Sequence, residues 1–373
     1  MKNLTGLKKK ENKLIQTYPI KPVPHLHDLI DEGLLYHCLA GIKKHTPISS
    51  FDRSLKSFHE HKSIIIPNLI SELNQGTYYP AGVKLEPTTI NHKARTLAYF
   101  PVEDELMQRA VKLVLEPIYE QLFYPFSIGY RNGKTVNNAH YLLYQHITFG
   151  GYRYIIKADL KDYFDSVDHA CLMEFLRLRI DDDIILHLME EWLAEGVDSE
   201  HRKCGERDGR SERSECGECG ERGGHGVEAA AGHRVATAAD HQSPKERPQG
   251  LLTGSPLSPL LSNIYLHYVL DDWFTNQIQP LMHNTSFMVR YADDFIMGFN
   301  AERDARSVYH TLFKRLAKYN LSLNQNKSHM MWLNAIAGDH NEKQHTFEFL
   351  KHHYYLTKTK KGKEVLKFKT DAR

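Results

Sequence analysis

Apolar residues recur along most of this chain at one of two periods, and the periods divide it into helices and strands. Leu106, Met107, Ala110, Val111, Val114, Leu115, Ile118 and Leu122 fall at three- and four-residue steps, which predicts a helix over Glu103–Phe123 with a broad buried face. Pro117 inside that run lacks an N–H and predicts a kink. Helical patterning also covers Val23–Ala40 and Ile64–Leu73. Further helices are predicted at Asn137–Thr148, from Ser166–Asp168 onward, at Ile184–Trp192, after the Gly250–Leu261 loop through Trp273, and at Ala305–Tyr319. Strand character marks Val83–Pro87 with Lys93–Pro101 as a hairpin, then Tyr154–Asp159, Phe287–Met297, Met330–Leu333 and Thr346–Leu350. A chain that mixes both periods in this way predicts an α+β fold.

One region has neither period. No Phe, Tyr or Trp occurs from Leu193 to Ile264, and the part from His201 to Gly250 is built mainly of Gly, Glu, Arg, Ala and Ser. Such a composition cannot bury enough surface to fold alone, and it is far longer than an ordinary connection. It predicts a disordered insertion over 201–249, or a misread frame, because both flanks are well patterned. Cys216 and Cys219 lie near His225 and His233, but one close Cys pair without zinc-type His spacing or apolar neighbours does not predict a zinc site.

Charge changes the picture only locally. With 48 basic and 46 acidic residues the net charge is +2, so nothing global demands a polyanionic partner. Basic charge collects at Lys8, Lys9, Lys10 and Lys13, and between Lys351 and Arg373, where eight Lys/Arg face two acids. No secretory leader pattern opens the chain and no apolar run reaches the length of a membrane span, so the expectation is a soluble, cytoplasmic protein with no membrane partner. Three of the five Cys crowd into Cys204–Cys219, which is not a secreted disulfide framework. Phosphate-loop and dinucleotide fingerprints are absent, which excludes those nucleotide-binding classes.

Candidate chemistry centres on Phe287–Met297, where Asp293 and Asp294 sit between Tyr291 and Phe295 in an apolar run. Two adjacent buried carboxylates are costly unless a cation compensates them, and hard oxygen ligands suit Mg²⁺. Asp159 ends a second apolar strand. Two acidic strands side by side can hold two Mg²⁺ roughly 3.5–4 Å apart, an arrangement that activates a 3′-hydroxyl and steadies a triphosphate. Lys93 and Arg95 are candidate phosphate partners, and the Gly/Ser/Pro loop from Gly250 can approach a ligand by its backbone. Asp168 reads as a helix cap, Asp181–Asp183 as a cap and solvated helix start, and Asp271 and Asp272 as surface residues.

Several boxes occur in a fixed order: Lys93 with Arg95, Ser127–Arg131, Asp159–Asp165, Gly254–Leu266, Tyr291-Ala292-Asp293-Asp294, Asn326-Lys327-Ser328 and Phe347–Leu350. In order and approximate spacing they resemble the bacterial reverse transcriptases of the group II intron and related retroelement type, over roughly residues 60–355. The resemblance implies an RNA-directed DNA polymerase of right-hand architecture, with fingers and an antiparallel palm sheet packed against helices. It implies a basic, helical extension at 1–55, fingers at 56–150 with a palm helix at 103–123, a palm at 151–350 interrupted at 201–249, and a basic tail at 351–373. A full thumb and maturase or endonuclease domains are not expected.

By the same resemblance, Asp159, Asp293 and Asp294 hold two Mg²⁺, with Mn²⁺ a substitute. Lys93 and Arg95 contact the incoming triphosphate, and Phe164 lies under the sugar and excludes a 2′-hydroxyl. Thr253 and Gly254 belong to the nucleotide-positioning box, and Lys327 sits near the triphosphate as a proton donor. The implied partners are an RNA template, a DNA or RNA primer, dNTPs and a cognate structured intron or non-coding RNA. The family carries Gln where Thr253 stands, with Pro248-Gln249-Gly250 just upstream, so the amide contacts to nucleotide and template are altered. Alternatives are a reverse transcriptase of defence, CRISPR-associated or retron type, or an RNA-binding remnant impaired in catalysis.

Overall fold

The computed structural model describes residues 21–42, 54–90, 93–198, 248–334 and 346–370, apart from the side chains of Ile90, Lys93, Ala94 and 196–198. The basic arm at the N-terminus, the aromatic-free stretch 201–247 and the four Cys and His residues weighed for zinc lie outside the described residues. The strands, in chain order, are β1 (Val23–Pro24), β2 (Lys84–Ile90), β3 (Lys93–Tyr99), β4 (Tyr154–Asp159), β5 (Ile180–Asp181) and β6 (Ser286–Tyr291). They continue with β7 (Asp294–Phe299), β8 (His329–Trp332), β9 (Thr346–Phe349), β10 (His352–Lys358) and β11 (Glu364–Thr370). The mixture of helices with antiparallel sheets is the expected α+β architecture.

The sheet that matters for function has the order β6-β7-β4-β8, antiparallel throughout. Its central strands read as unbroken apolar runs because both faces are covered. Ile156, Ala158, Met288, Phe295 and Met297 pack into the larger core with the helices Val102–Glu120, Ser258–Leu266 and Glu302–Lys318. Alternate residues Ile155, Phe287, Val289 and Ile296 pack into a second core under the helix Val136–Phe149 and the sheet β11-β10-β9. This period-two division fixes the register, since a slip of one residue would exchange the two faces.

The helix Val102–Glu120 spans most of the predicted Glu103–Phe123 run and continues three residues past Pro117. Val102, Leu106, Met107, Ala110, Val111, Val114 and Leu115 on it are fully buried. Truncating one such residue, as in Leu115→Ala, is expected to cost about 2–5 kcal/mol, read as a lower midpoint in thermal unfolding.

Two elements differ from the sequence reading. Val23–Ala40 is not one helix: β1 pairs in parallel with β5, and the helix is confined to Glu32–Gly41, capped by Asp31. Asp181 and Asp183 are exposed, as expected of a cap and a solvated helix start, and Asp182 is the cap. It is buried, caps the helix start by accepting from Ile185 N–H, and accepts from His27 N–H, so it ties the segment at 23–29 to the domain. The basic stretch from Lys351 is not a tail but the hairpin β10–β11, because Tyr354, Leu356 and Leu366 alternate inward into the second core while the lysines face out. Among the described residues no helix is long and apolar enough to cross a membrane.

Candidate active site

Period-two alternation delivers the acids. On β4 the residues Lys157 and Asp159 point away from the helix layer, and on β7 Asp294 does the same. Asp159 lies directly opposite Asp294 in the β4–β7 ladder. Tyr291 pairs with Asp294 across β6–β7, so Ala292 and Asp293 form a two-residue turn. Ala292 has φ 55°, a left-handed conformation that a non-glycine residue holds only when its surroundings impose it.

The surroundings do impose it. The loop Ser127–Tyr130 lies along the turn, with Ile128 N–H donating to Arg290 O at 2.9 Å and Arg290 N–H donating to Phe126 O at 2.9 Å. Gly129 is the point of contact: a Cβ there would come within 2.4 Å of Ala292 N. Gly129→Ala is therefore expected to displace the acidic turn and reduce turnover at the site by at least tenfold, with thermal stability lowered far less than by a core truncation. A variant with unchanged turnover would show that the loop does not set the turn.

The charges around the acids are unevenly compensated. Lys327 Nζ lies 3.1 Å from Asp159 Oδ2, and Lys157 Nζ lies 4.0 Å from Asp294 Oδ1. Asp294 Oδ1 is buried and, among the described residues, has no hydrogen-bond partner, although the residue accepts from the backbone N–H of Leu350. Burial first, then repulsion from Asp159 and Asp293 against the pull of Lys157, pushes the Asp294 carboxyl up to about 7. Burial and the Asp159 charge also raise Asp293, opposed by Lys327 and Arg95. Leu350 and Lys351 make the two-residue turn between β9 and β10, both with positive φ (53° and 63°), and this strained turn is what brings the Leu350 N–H to Asp294.

Among the described residues no group of three or more His, Cys, Asp or Glu is gathered closely enough to hold a metal ion. Asp159, Asp293 and Asp294 share one end of the sheet without closing into such a group, and ammonium groups face two of them. The donor set still fits a hard divalent cation: it consists of carboxylate oxygens, one of them buried without a hydrogen-bond partner among the described residues, and two of the carboxyls are raised by burial and by repulsion among the acids.

The other candidate residues take the following places. Arg95 is exposed on β3 and close enough to lower the carboxyls of Asp293 and Asp165. Lys93 opens the same strand, with its side chain outside the described residues. Thr253 O accepts from Ala98 N–H at 2.7 Å, and Gly254 has φ 117° with a would-be Cβ 2.5 Å from Ala98 O. Together these contacts fasten the loop to the strand that carries Arg95. Gln249 does not substitute for the family Gln: it holds Asn320 Nδ2 at 2.5 Å and bridges Asp168, while Gly250 N–H donates to Val167 O. Asp168 caps the helix His169–Arg177 as expected.

Phe164 is half-buried on the short helical turn Tyr163–Ser166, with Tyr130 edge-on at 6.5 Å. Tyr130 was not anticipated from the sequence; it is 49% exposed, has φ 60°, and is raised by burial and by the Asp293 charge. Its position among Phe164, Asp293 and Arg95 makes it part of the wall of the site. Lys157 was missed as well, although its place two residues before Asp159 on a strand signals the same face.

Asp271 and Asp272 are not surface residues of a regular helix. After Ser258–Leu266 the helix continues with π winding over His267–Asp271 and Trp273–Ile278, which rotates later residues away from their α-helical phase. Asp271 is fully buried against Arg290, and Asp272 accepts from Tyr124 OH at 3.2 Å.

A strand-end pair of opposed carboxylates, a third acid on the adjoining turn, and cations around them make up the candidate site. Residues 85–354 match the reverse transcriptase (RNA-dependent DNA polymerase) family, and the chain belongs to it. It is similar to the Group II intron-encoded protein LtrA of Lactococcus lactis subsp. cremoris, at 28% identity over 218 residues, 58% of this chain and 29% of that protein. Protein YkfC of Escherichia coli (strain K12) is 33% identical over 132 residues, 34% of this chain and 35% of that protein. Nuclear intron maturase 2, mitochondrial, of Arabidopsis thaliana is 25% identical over 185 residues, 48% and 24% of the two. The matches span between 24% and 35% of these relatives' own lengths. Family membership supports a reverse-transcriptase-like function in general terms.

Proposed function

We propose that the chain is an RNA-directed DNA polymerase that adds deoxynucleotides to a primer 3′-hydroxyl on an RNA template, in a fingers–palm arrangement with β6-β7-β4-β8 as the palm sheet. The observation that carries this reading is the register of Asp159 opposite Asp294, with Asp293 on the adjoining turn and a buried Asp294 oxygen that lacks a hydrogen-bond partner among the described residues. Asp159, Asp293 and Asp294 would hold Mg²⁺, or Mn²⁺ in its place. When bound, the metal supplies Lewis-acid stabilisation of the attacking and leaving oxygens.

The chain's own residues do the remainder. Arg95, with Lys93 on the same strand, lies on the side from which a triphosphate would approach and neutralises its charge. Lys327, whose ammonium faces Asp159 at 3.1 Å, would be the proton donor to the departing pyrophosphate. Phe164 and Tyr130 wall the sugar position. Gly254 lets the loop backbone lie against β3, so the nucleotide-positioning contact comes from main chain where the Thr253 side chain cannot supply an amide. The substrates are an RNA template, a DNA or RNA primer and dNTPs, with a structured intron or non-coding RNA as the cognate partner.

The test is extension of a labelled DNA primer on a defined RNA template by the full chain, with four dNTPs and Mg²⁺, repeated with a chelator. Extension that requires the metal and the RNA template is the expected result. An absence of extension with both Mg²⁺ and Mn²⁺ would overturn the reading.

The raised Asp294 carboxyl gives a second expectation. Its folded-state value of about 7 lies above the unfolded value of 3.8, so the folded state binds the proton more tightly. That contribution to stability is full at acidic pH and is lost as pH rises toward 7 in the metal-free protein. Asp294→Asn removes the loss. With chelator present, the melting temperature of the variant minus that of wild type should grow by a few degrees between about pH 4 and pH 7. Mg²⁺ should shrink the difference at pH 7, and a difference independent of both pH and Mg²⁺ would refute the charge imbalance.

A further inference from the structure

The acidic turn is held from beneath by one side chain. Arg290, on β6, points into the helix layer and is fully buried, and all five of its N–H donors are used. Nε donates to Asp271 Oδ1 at 2.7 Å and Nη2 to Asp271 Oδ2 at 2.6 Å, a bidentate pair with both partners at 0% exposure. Nη2 also donates to Ser127 Oγ at 2.6 Å, and Nη1 to Asn263 Oδ1 at 3.0 Å. The remaining donor reaches the turn itself: Nη1 donates to the backbone carbonyl of Ala292 at 3.1 Å. Asn263 in turn donates from Nδ2 to Gly129 O at 2.8 Å, so the loop that presses on Ala292 belongs to the same network.

We propose that Arg290, fixed by Asp271, is the positioning residue that sets the Ala292–Asp293 turn for a divalent cation. This inference rests on the function proposed above. A buried ion pair contributes little net stability over an apolar pair of similar shape, so packing alone does not call for this one. What the guanidinium does that a hydrocarbon cannot is hold the Ala292 carbonyl while the residue sits at φ 55°, which aims the following amide and the Asp293 side chain. The planar fork matters as much as the charge, because a lysine ammonium cannot span both Asp271 oxygens and the Ala292 carbonyl together. The π winding at His267–Asp271 completes the device by turning Asp271 inward under the strand.

Outer partners that orient metal-holding groups typically change metal affinity by about 10–100-fold. The test is Mn²⁺ binding by the full chain with a dideoxy-terminated primer on an RNA template, with free Mn²⁺ read by electron paramagnetic resonance. Wild type is compared with Asp293→Asn, Arg290→Lys and the charge-neutral pair Arg290→Met with Asp271→Leu. The expected result is a wild-type site lost in Asp293→Asn and weakened at least tenfold in the neutral pair, whose circular dichroism matches wild type. Arg290→Lys should be weakened severalfold.

A neutral pair that is folded and binds Mn²⁺ like wild type, with only its melting temperature altered, would reduce Arg290 to a structural role and overturn the inference alone. Wild-type binding that does not depend on Asp293 would overturn the proposed function and this inference with it. Should the neutral pair fail to fold, Arg290→Lys decides by the same criterion.

Discussion

Asp159→Asn and Asp293→Asn each lower primer extension by roughly 10³-fold or more, as an expected result, while binding of the RNA template stays close to wild type. Asn keeps the size of the side chain and removes the negative charge that would hold a divalent cation. The charge stabilisation lost with a metal is several kcal/mol, and each 1.36 kcal/mol is about tenfold in rate. The two variants differ in a second respect. Asp159→Asn leaves Lys327 without the carboxylate it faces at 3.1 Å, so nucleotide affinity should also change there. Asp293 carries no such ion pair among the described residues, and its loss should fall almost wholly on turnover. Near wild-type extension by either variant would remove that residue from the metal-holding set.

Much of this site could be read from the chain because its signals are local. Asp159 ends an apolar strand and Asp293-Asp294 interrupt another, and period-two alternation is enough to place them together at one sheet end. The hidden parts depend on long-range partners. Arg290 looks like an ordinary strand cation until Asp271, nineteen positions earlier, is known to be buried beneath it. Asp271 looks like a solvated helix acid because its inward turn comes from π winding, which apolar periodicity does not report. The hairpin β10–β11 was concealed by its lysines, which outweigh three inward apolar residues when composition is read without pairing. Tyr130 lies within the Ser127–Arg131 box but is not singled out there, since its place at the site follows from a left-handed turn beside Gly129.

Under the proposed function, Phe164 is the residue expected to select the sugar. Asp162 turns the chain in the left-handed region with φ 43°, so the short helix Tyr163–Ser166 doubles back from the end of β4 and brings Phe164 toward the acids. The position is anchored by its backbone: Leu251 N–H donates to Phe164 O at 2.7 Å. Tyr130 stands edge-on beside the ring at 6.5 Å, and the ring itself offers a 2′-hydroxyl no hydrogen-bonding atom. Discrimination by a fitted apolar wall reaches about 10–200-fold. Phe164→Val should therefore raise kcat/KM for ribonucleotides relative to deoxyribonucleotides by about tenfold or more, at a small cost in stability because the ring is only half-buried. The measurement is the ratio of kcat/KM for dGTP and GTP on one RNA template. An unchanged ratio in a folded, active variant would remove Phe164 from sugar selection.

The most direct measurement of the central claim is incorporation of labelled dTTP on poly(rA) primed with oligo(dT), by wild type and Asp293→Asn side by side, with Mg²⁺ and then with Mn²⁺. The account predicts steady incorporation by wild type, one pyrophosphate released for each dT added, and none above background by Asp293→Asn. Equal incorporation by the two proteins, or no incorporation by wild type with either metal, would contradict it.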